Sequence, residues 1–215
     1  MVIMLNCSYK AKNGNTKYFM EQIAAQLNKE VEILNLRNIL GTHHLGDEIP
    51  NEIYEFSEKL KKADSLVIGA PLYVDGLPAQ AVRTMEIIMD LWKEEGYKGE
   101  NLKVYSVSNL GFYEGEQIRH MFDMIRNWSN RVGAAYGGSL AVGAGPMITA
   151  LDNTPLQRPL NKDVFSGIET MAKAIDKGET MENYYCKTAI PRFVYKAAAH
   201  KMFNDTLKAN GVSAK

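Results

Sequence analysis

Short apolar runs alternate along this chain with stretches in which apolar residues recur every three or four positions. Val2–Asn6 predicts a first strand, and Asn15–Asn28 a helix with Phe19, Ile23, Ala24 and Leu27 on one face. Val31–Leu36 alternates apolar and polar residues and predicts a second strand, after which residues 37–50, with Gly41, Gly46 and Pro50, read as loop. Glu52–Lys62 predicts a second helix with Ile53, Phe56 and Leu60 inward. Ser65–Ala70 predicts a third strand, apolar almost throughout, as a strand covered on both faces should be. Pro78 opens a third helix over 78–93, at a position where a missing N–H costs nothing. Lys103–Ser108 is a fourth strand, and Gly115–Arg131 a fourth helix carrying Ile118, Met121, Phe122, Ile125 and Trp128. Ala134–Gly143 contains a fifth strand, 144–160 reads as loop, and Lys162–Lys177 is a fifth helix. Beyond Gly178 a separate segment, 184–210, ends in a helix Arg192–Asn210 that Pro191 opens and Gly211 closes.

Five strands separated by helices predict an α/β chain with a parallel, doubly wound sheet and right-handed crossovers. The expected division is one domain over 1–180 and a helical extension over 181–215, too short to be a second domain.

Charge and composition narrow the function. Lys plus Arg and Asp plus Glu both number 25, so the net charge is zero. That balance gives no support for a nucleic-acid partner. No apolar run approaches the roughly 18 residues of a membrane helix. The first residues lack the basic region of a signal peptide, so the expected compartment is the cytoplasm. Cys7 and Cys186 are too few and too far apart for a disulfide framework or an iron–sulfur centre. Cys7, closing the first strand, reads as a small buried hydrophobe. His43-His44 with Asp47-Glu48 matches no closed ligand spacing and reads as a solvated loop, so no metal is expected.

Ligands of open parallel sheets bind outside the carboxyl ends of the strands, and three strands here end in unusual loops. The first holds Ser8, Lys10, Lys12, Asn13, Gly14, Asn15 and Thr16 immediately before a helix. Helix-start N–H groups and the positive dipole end attract an anion. Ser8, Asn15 and Thr16 add donors, a lysine adds charge, and Gly14 permits close backbone approach. The plainer alternative is an ordinary βα turn with Asn15 as N-cap. The second loop runs through Pro71, Leu72, Tyr73 and Val74 to Asp75-Gly76-Leu77-Pro78, and the third through Asn109, Leu110, Gly111, Phe112, Tyr113 and Glu114 to Gly115. Their backbone amides can meet the polar edge of a flat heterocycle, and Tyr73 or Tyr113 can cover its face. Asn109 and Glu114 serve either the ring edge or the capping of the loop and following helix. A phosphate at the first loop and a planar ring between the other two is the shape of flavin mononucleotide (FMN). Gly143-Ala144-Gly145 lacks the third glycine of a dinucleotide fingerprint, since Ile148 stands there.

These loops resemble the flavodoxin-like NAD(P)H-dependent FMN reductase family. Its first loop has the form Ser-Pro-Arg-x-x-x-(Asn/Ser)-Asn-Thr. It also carries Asp-x-(Ile/Val)-(Ile/Val)-x-x-x-Pro-x-Tyr at strand three and a glycine-rich loop after strand four. This chain has Ser8-Tyr9-Lys10, Asn13-Gly14-Asn15-Thr16, Asp64 through Tyr73, and Asn109 through Glu114. The resemblance spans about residues 1–177 in order. It departs at Tyr9, where the family has Pro, and at Lys10, where it has Arg; Lys binds phosphate as a point charge without a bidentate fork.

The resemblance implies a three-layer flavodoxin-like fold with a five-stranded sheet in the order 2-1-3-4-5. It implies that the first loop holds the FMN phosphate and the other two the isoalloxazine. It also implies that NAD(P)H reduces the flavin, which then passes electrons to a small-molecule acceptor in a ping-pong cycle. Because such chemistry belongs to the cofactor, no protein nucleophile or general base is expected. The rivals are a flavodoxin-type electron carrier, usually strongly acidic, and a cofactor-less interaction module. Phe193, Val194, Tyr195, Ala197, Ala198, Ala199, Met202 and Phe203 must fold back on the sheet layers or pack on a second subunit, and a homodimer is expected.

Overall fold

The computed structural model describes residues 1–10, 13–44 and 46–212. The strands are β1 (Val2–Asn6), β2 (Val31–Asn35), β3 (Ser65–Pro71), β4 (Lys103–Asn109), β5 (Ala135–Val142) and β6 (Tyr184–Cys186). They form one sheet in the order β2-β1-β3-β4-β5-β6, every neighbouring pair parallel. The long helices are α1 (Asn15–Ala24), α3 (Asn51–Lys62), α4 (Ala79–Glu94), α5 (Arg119–Arg131), α8 (Lys162–Lys177) and α9 (Arg192–Ala209). Three short ones, α2 (Leu36–Leu40), α6 (Gly145–Ala150) and α7 (Gln157–Leu160), lie between them.

Alternation along each strand makes the layers. Val2, Met4, Val67, Tyr105, Val107 and Leu140 face α1 and α8, where they bury Phe19, Ile23, Val164, Ile168 and Met171. Ile3, Leu5, Leu66, Ile68 and Val104 face α3, α4 and α5, against Ile53, Phe56, Ile88, Phe122 and Ile125. A strand covered on both faces has no polar face to show, hence the uniformly apolar β3. β2 is an edge strand and only half-buried, so its sequence alternates.

The sheet has six strands, not five. β6 joins the open edge of β5 through Leu140↔Tyr184, Ala141↔Tyr185 and Val142↔Cys186. Three residues are too few for a periodicity, so this strand carries no pattern of its own. The short helices fall in stretches that read as loop for a related reason. They are one or two turns long, and Pro146 sits in the first turn of α6, where proline is compatible with a helix. Residues Gly115–Ile118 of the expected fourth helix form a tighter 3-10 turn before α5.

β5 departs from regular pairing where its register with β4 shifts between Val104 and Tyr105. A Cβ on Gly137 would stand 2.5 Å from the Tyr105 ring, and Gly138 has φ +110, so the irregularity depends on both glycines. Tyr105 is fixed there by its hydroxyl, which donates to Glu179 O at 2.6 Å and Ala174 O at 3.2 Å.

Candidate functional site

The sheet order sets the carboxyl ends of β1, β3 and β4 side by side, so the three loops share one edge. At the end of β1, the Asn6 Oδ1 accepts the Ser8 N–H at 3.1 Å, while its Nδ2 donates to Asn35 Oδ1 of β2 at 3.0 Å. The loop then folds so tightly that a Cβ on Gly14 would lie 2.6 Å from the Lys10 carbonyl oxygen. Gly14, not Asn15, holds the N-cap position of α1, and no side chain caps the helix. The first-turn N–H groups of Asn15, Thr16 and Lys17 therefore meet no protein acceptor among the described residues. Asn15 Oδ1 accepts from Thr149 Oγ1 at 2.8 Å, which leaves the amide NH2 as its free donor. Thr16 is buried and donates to Asn109 Oδ1 at 2.7 Å, tying the first loop to the third. Lys10 is exposed; Lys12 lies outside the described residues.

The second loop leaves β3 at Pro71, and Leu72 N–H donates to the Asn109 carbonyl at 3.0 Å. Tyr73 and Gly76 then exchange both backbone hydrogen bonds, at 3.1 and 3.0 Å. Between them Val74 and Asp75 have φ +47 and +60. Two left-handed central residues make a type I′ turn. A β-branched residue adopts that conformation only at a cost. Val74 is fully exposed at the tip, and the Tyr73 side chain stands half in solvent.

The third loop is held from two sides. The Leu110 N–H donates to Val142 O, and its carbonyl accepts from Gly145; the Phe112 carbonyl accepts from Ala144. From the other side the C-terminal segment clamps it. Tyr113 donates to Ile190 O at 2.7 Å, Arg192 pairs with Glu114 at 2.7 Å, and Tyr195 donates to the Gly111 carbonyl. Burial, with the Glu114 carboxylate adding to it, pushes the Tyr195 hydroxyl above its ordinary range, so it stays a donor at neutral pH. The N–H groups of Gly111, Phe112, Tyr113 and Glu114 have no protein acceptor among the described residues.

Two hollows open at this edge. One, of about 450 Å³, runs from Ser8 and Tyr9 past Tyr73 and Val74 to the start of α4. The other, of about 250 Å³, is lined by Asn13, Gly14, Asn15 and Thr149. Ser8, Tyr73 and Val74 thus share the larger hollow. Thr16, Asn109 and Leu110 are buried beneath the edge, and Tyr113 is turned toward the C-terminal segment rather than left open. The larger hollow also contains Arg37 and Thr42, from a stretch that reads as loop. Arg37 lies two residues past the carboxyl end of β2, and that position was the available signal.

Uncapped N–H groups at α1, a lysine beside them, and free amides on the third loop fit a phosphate joined to a flat heterocycle with a polar edge. The groups needed to hold FMN are thus present. Cys7, at this edge, is 5% exposed, and burial pushes its thiol up to about 12. A thiol so placed is not a redox nucleophile at neutral pH. His43 and His44 bond to Asp47 within their own turn, and among the described residues no group of three His, Cys, Asp or Glu could hold a metal ion.

A family model described as NADPH-dependent FMN reductase matches residues 1–124. No curated protein matches the chain by sequence. Several solved structures share the fold at low identity. An FMN-dependent NADH-azoreductase from Bacillus anthracis in complex with FMN superposes with a TM-score of 0.53 at 14% identity, over 81% of this chain and 99% of its own. An NADPH-quinone reductase from P. pentosaceus gives 0.53 at 16%, over 80% and 96%. A Streptococcus pneumoniae flavodoxin gives 0.54 at 14%, over 82% and 98%. More than half of the chain matches the family model, so it belongs to the NADPH-dependent FMN reductase family and is an NAD(P)H-dependent FMN oxidoreductase.

Proposed function

We propose that this protein oxidises NAD(P)H and reduces a small acceptor, such as a quinone, a flavin or an azo compound, in a ping-pong cycle through FMN held across the three loops. The observation that carries this reading is the set of unengaged N–H groups on the first and third loops at the carboxyl edge of one sheet. Bound FMN supplies the chemistry, accepting hydride and passing electrons on. Ser8, Lys10, Asn13, Gly14, Asn15 and Thr16 bind its phosphate. Pro71, Leu72, Tyr73 and Val74, with Asn109, Leu110, Gly111, Phe112, Tyr113 and Glu114, orient the ring. Residues 1–180 form the FMN-binding domain, and 181–215 an extension that buttresses the third loop.

Zero net charge favours an enzyme with its own substrate over a carrier steered to redox partners by its field. Initial rates at several fixed acceptor concentrations test the cycle. Parallel double-reciprocal lines are expected, and intersecting lines contradict it.

The same reading includes a homodimer. α9 buries none of its residues, and Phe193, Met202 and Phe203 are 75%, 60% and 62% exposed. Light scattering at micromolar protein should give twice 24.1 kDa; a value of 24.1 kDa overturns the dimer. The compartment we infer is the cytoplasm. Both cysteines are free thiols, and no described helix is long and apolar enough to cross a membrane.

A further inference from the structure

The larger hollow extends beyond the three loops, and its far wall holds none of the residues assigned to FMN. That wall is Leu36, Arg37, Gly41 and Thr42 after β2, facing Leu77 and Gln80 at the start of α4. Among the described residues lining the hollow, Arg37 is the one with a formal charge. Its guanidinium lies over the Tyr9 ring, 5.4 Å from the centroid, and no described carboxylate pairs with it. Tyr9 is 71% exposed, and it is the residue that stands where the family's first loop carries proline.

A cation with no carboxylate partner among the described residues, stacked on an aromatic ring at the mouth of a largely apolar hollow, offers three things at once. It gives a charge for an anion, a fork of donors and a flat surface. Water competes for the exposed head, so charge alone binds weakly there. The adjoining apolar wall supplies the rest for a ligand that is both flat and acidic.

We propose that this wall is a subsite for planar aromatic substrates bearing an anionic group. Arg37 receives the anion, Tyr9 holds the guanidinium in place, and the body of the substrate lies toward Tyr73 and Val74. The identity of the substrates rests on the proposed function; the binding itself does not. Two sources share this chemistry: the 2′-phosphate of a nicotinamide dinucleotide donor, and an acidic substituent on the acceptor. Either would be selected without any contact to the flavin phosphate.

Equilibrium binding to the protein as purified, followed by calorimetry, tests this with two pairs of probes. One pair is NADP⁺ against NAD⁺; the other is 1,4-naphthoquinone-2-sulfonate against 1,4-naphthoquinone. The wild type should favour the member with the extra anionic group in at least one pair by about tenfold, and the preference should shrink as salt is raised. Arg37→Gln should erase that preference and leave the affinity of the member lacking the extra anionic group unchanged, while Arg37→Lys keeps part of it. Because Arg37 is exposed, neither variant threatens the fold. If Arg37→Gln removes only the NADP⁺ preference, the donor is the source; if only the sulfonate preference, the acceptor is. Equal affinities across both pairs in the wild type, or preferences untouched in Arg37→Gln, overturn the subsite. Flavin content is read in the same samples from the absorbance. A protein that neither carried FMN nor bound it when added, yet kept an Arg37-dependent preference, would refute the proposed function and leave the subsite standing.

Discussion

Replacing Asn15 by Asp changes one atom pair at the start of α1 and tests the phosphate loop directly. Thr149 Oγ1 fixes Asn15 Oδ1 at 2.8 Å, so the amide NH2 is the group free to donate to a ligand. A carboxylate in its place still accepts from Thr149, but when ionised it has nothing to donate. Losing a hydrogen bond to a charged phosphate costs about 1.5–3 kcal/mol. The hollow at Asn15 is open to solvent, so repulsion between the new charge and the phosphate is screened to about 1 kcal/mol. Together these predict FMN affinity weaker by roughly 10²- to 10³-fold. The fold should not suffer, because a negative charge at a helix N-terminus is favourable by about 0.3–1 kcal/mol. Fluorescence titration of the FMN-free protein measures the loss. Riboflavin, which lacks the phosphate, is the control and should bind the variant about as well as the parent. Thermal melting should show no lower Tm. FMN bound equally tightly by a folded variant would refute the assignment of Ser8–Thr16 as the phosphate loop.

Four further outcomes are expected. Tyr195→Phe removes the donor to the Gly111 carbonyl, a bond worth about 0.5–1.5 kcal/mol; exchange of the Leu110 amide, which is bonded to Val142 O, should quicken while β1 stays unchanged, and an unchanged Leu110 rate would show that the tail does not hold the loop. Gly137→Ala drives a methyl into the Tyr105 ring, which two carbonyls hold in place, and should cost about 1–3 kcal/mol by denaturant unfolding; an unchanged midpoint would contradict that packing. Cys7 and Cys186 should resist a thiol reagent at pH 8 in the native protein and react once it is unfolded. Burial raises both thiols, so the native state keeps protons that the unfolded chain releases above its ordinary thiol range of about 8.5. Stability should therefore be fully retained below that pH and fall as pH rises from there toward 12, and a flat profile would count against buried thiols.

Periodicity located α1, α3, α4, α5 and α8 because each buries a continuous face, whereas α9, which buries none of its residues, was marked by Pro191 and Gly211. Phe19 and Ile23 on α1, or Ile53, Phe56 and Leu60 on α3, mark their helices through spacing alone. β6 escaped because Tyr184-Tyr185-Cys186 is too short to have a period and gains its place only by pairing with β5. The three loops were legible through their glycines, prolines and donors at strand ends. Which of those groups remain free was not. Thr16 spends its hydroxyl on Asn109, and Tyr113 spends its own on Ile190, partners 93 and 77 residues away. Arg37 was hidden for the same reason, since its stacking on Tyr9 depends on the adjacency of β1 and β2.

The most direct test of the account is the visible spectrum of the purified protein, followed by its anaerobic mixing with NADPH and NADH. A flavin absorption band is expected, with a cofactor that acid releases and that co-elutes with FMN, and with rapid bleaching of the band by at least one nicotinamide. A yellow protein that neither nicotinamide bleaches would mark an electron carrier. Release of FAD alone, or a colourless protein that binds no added FMN, would contradict the three-loop site itself.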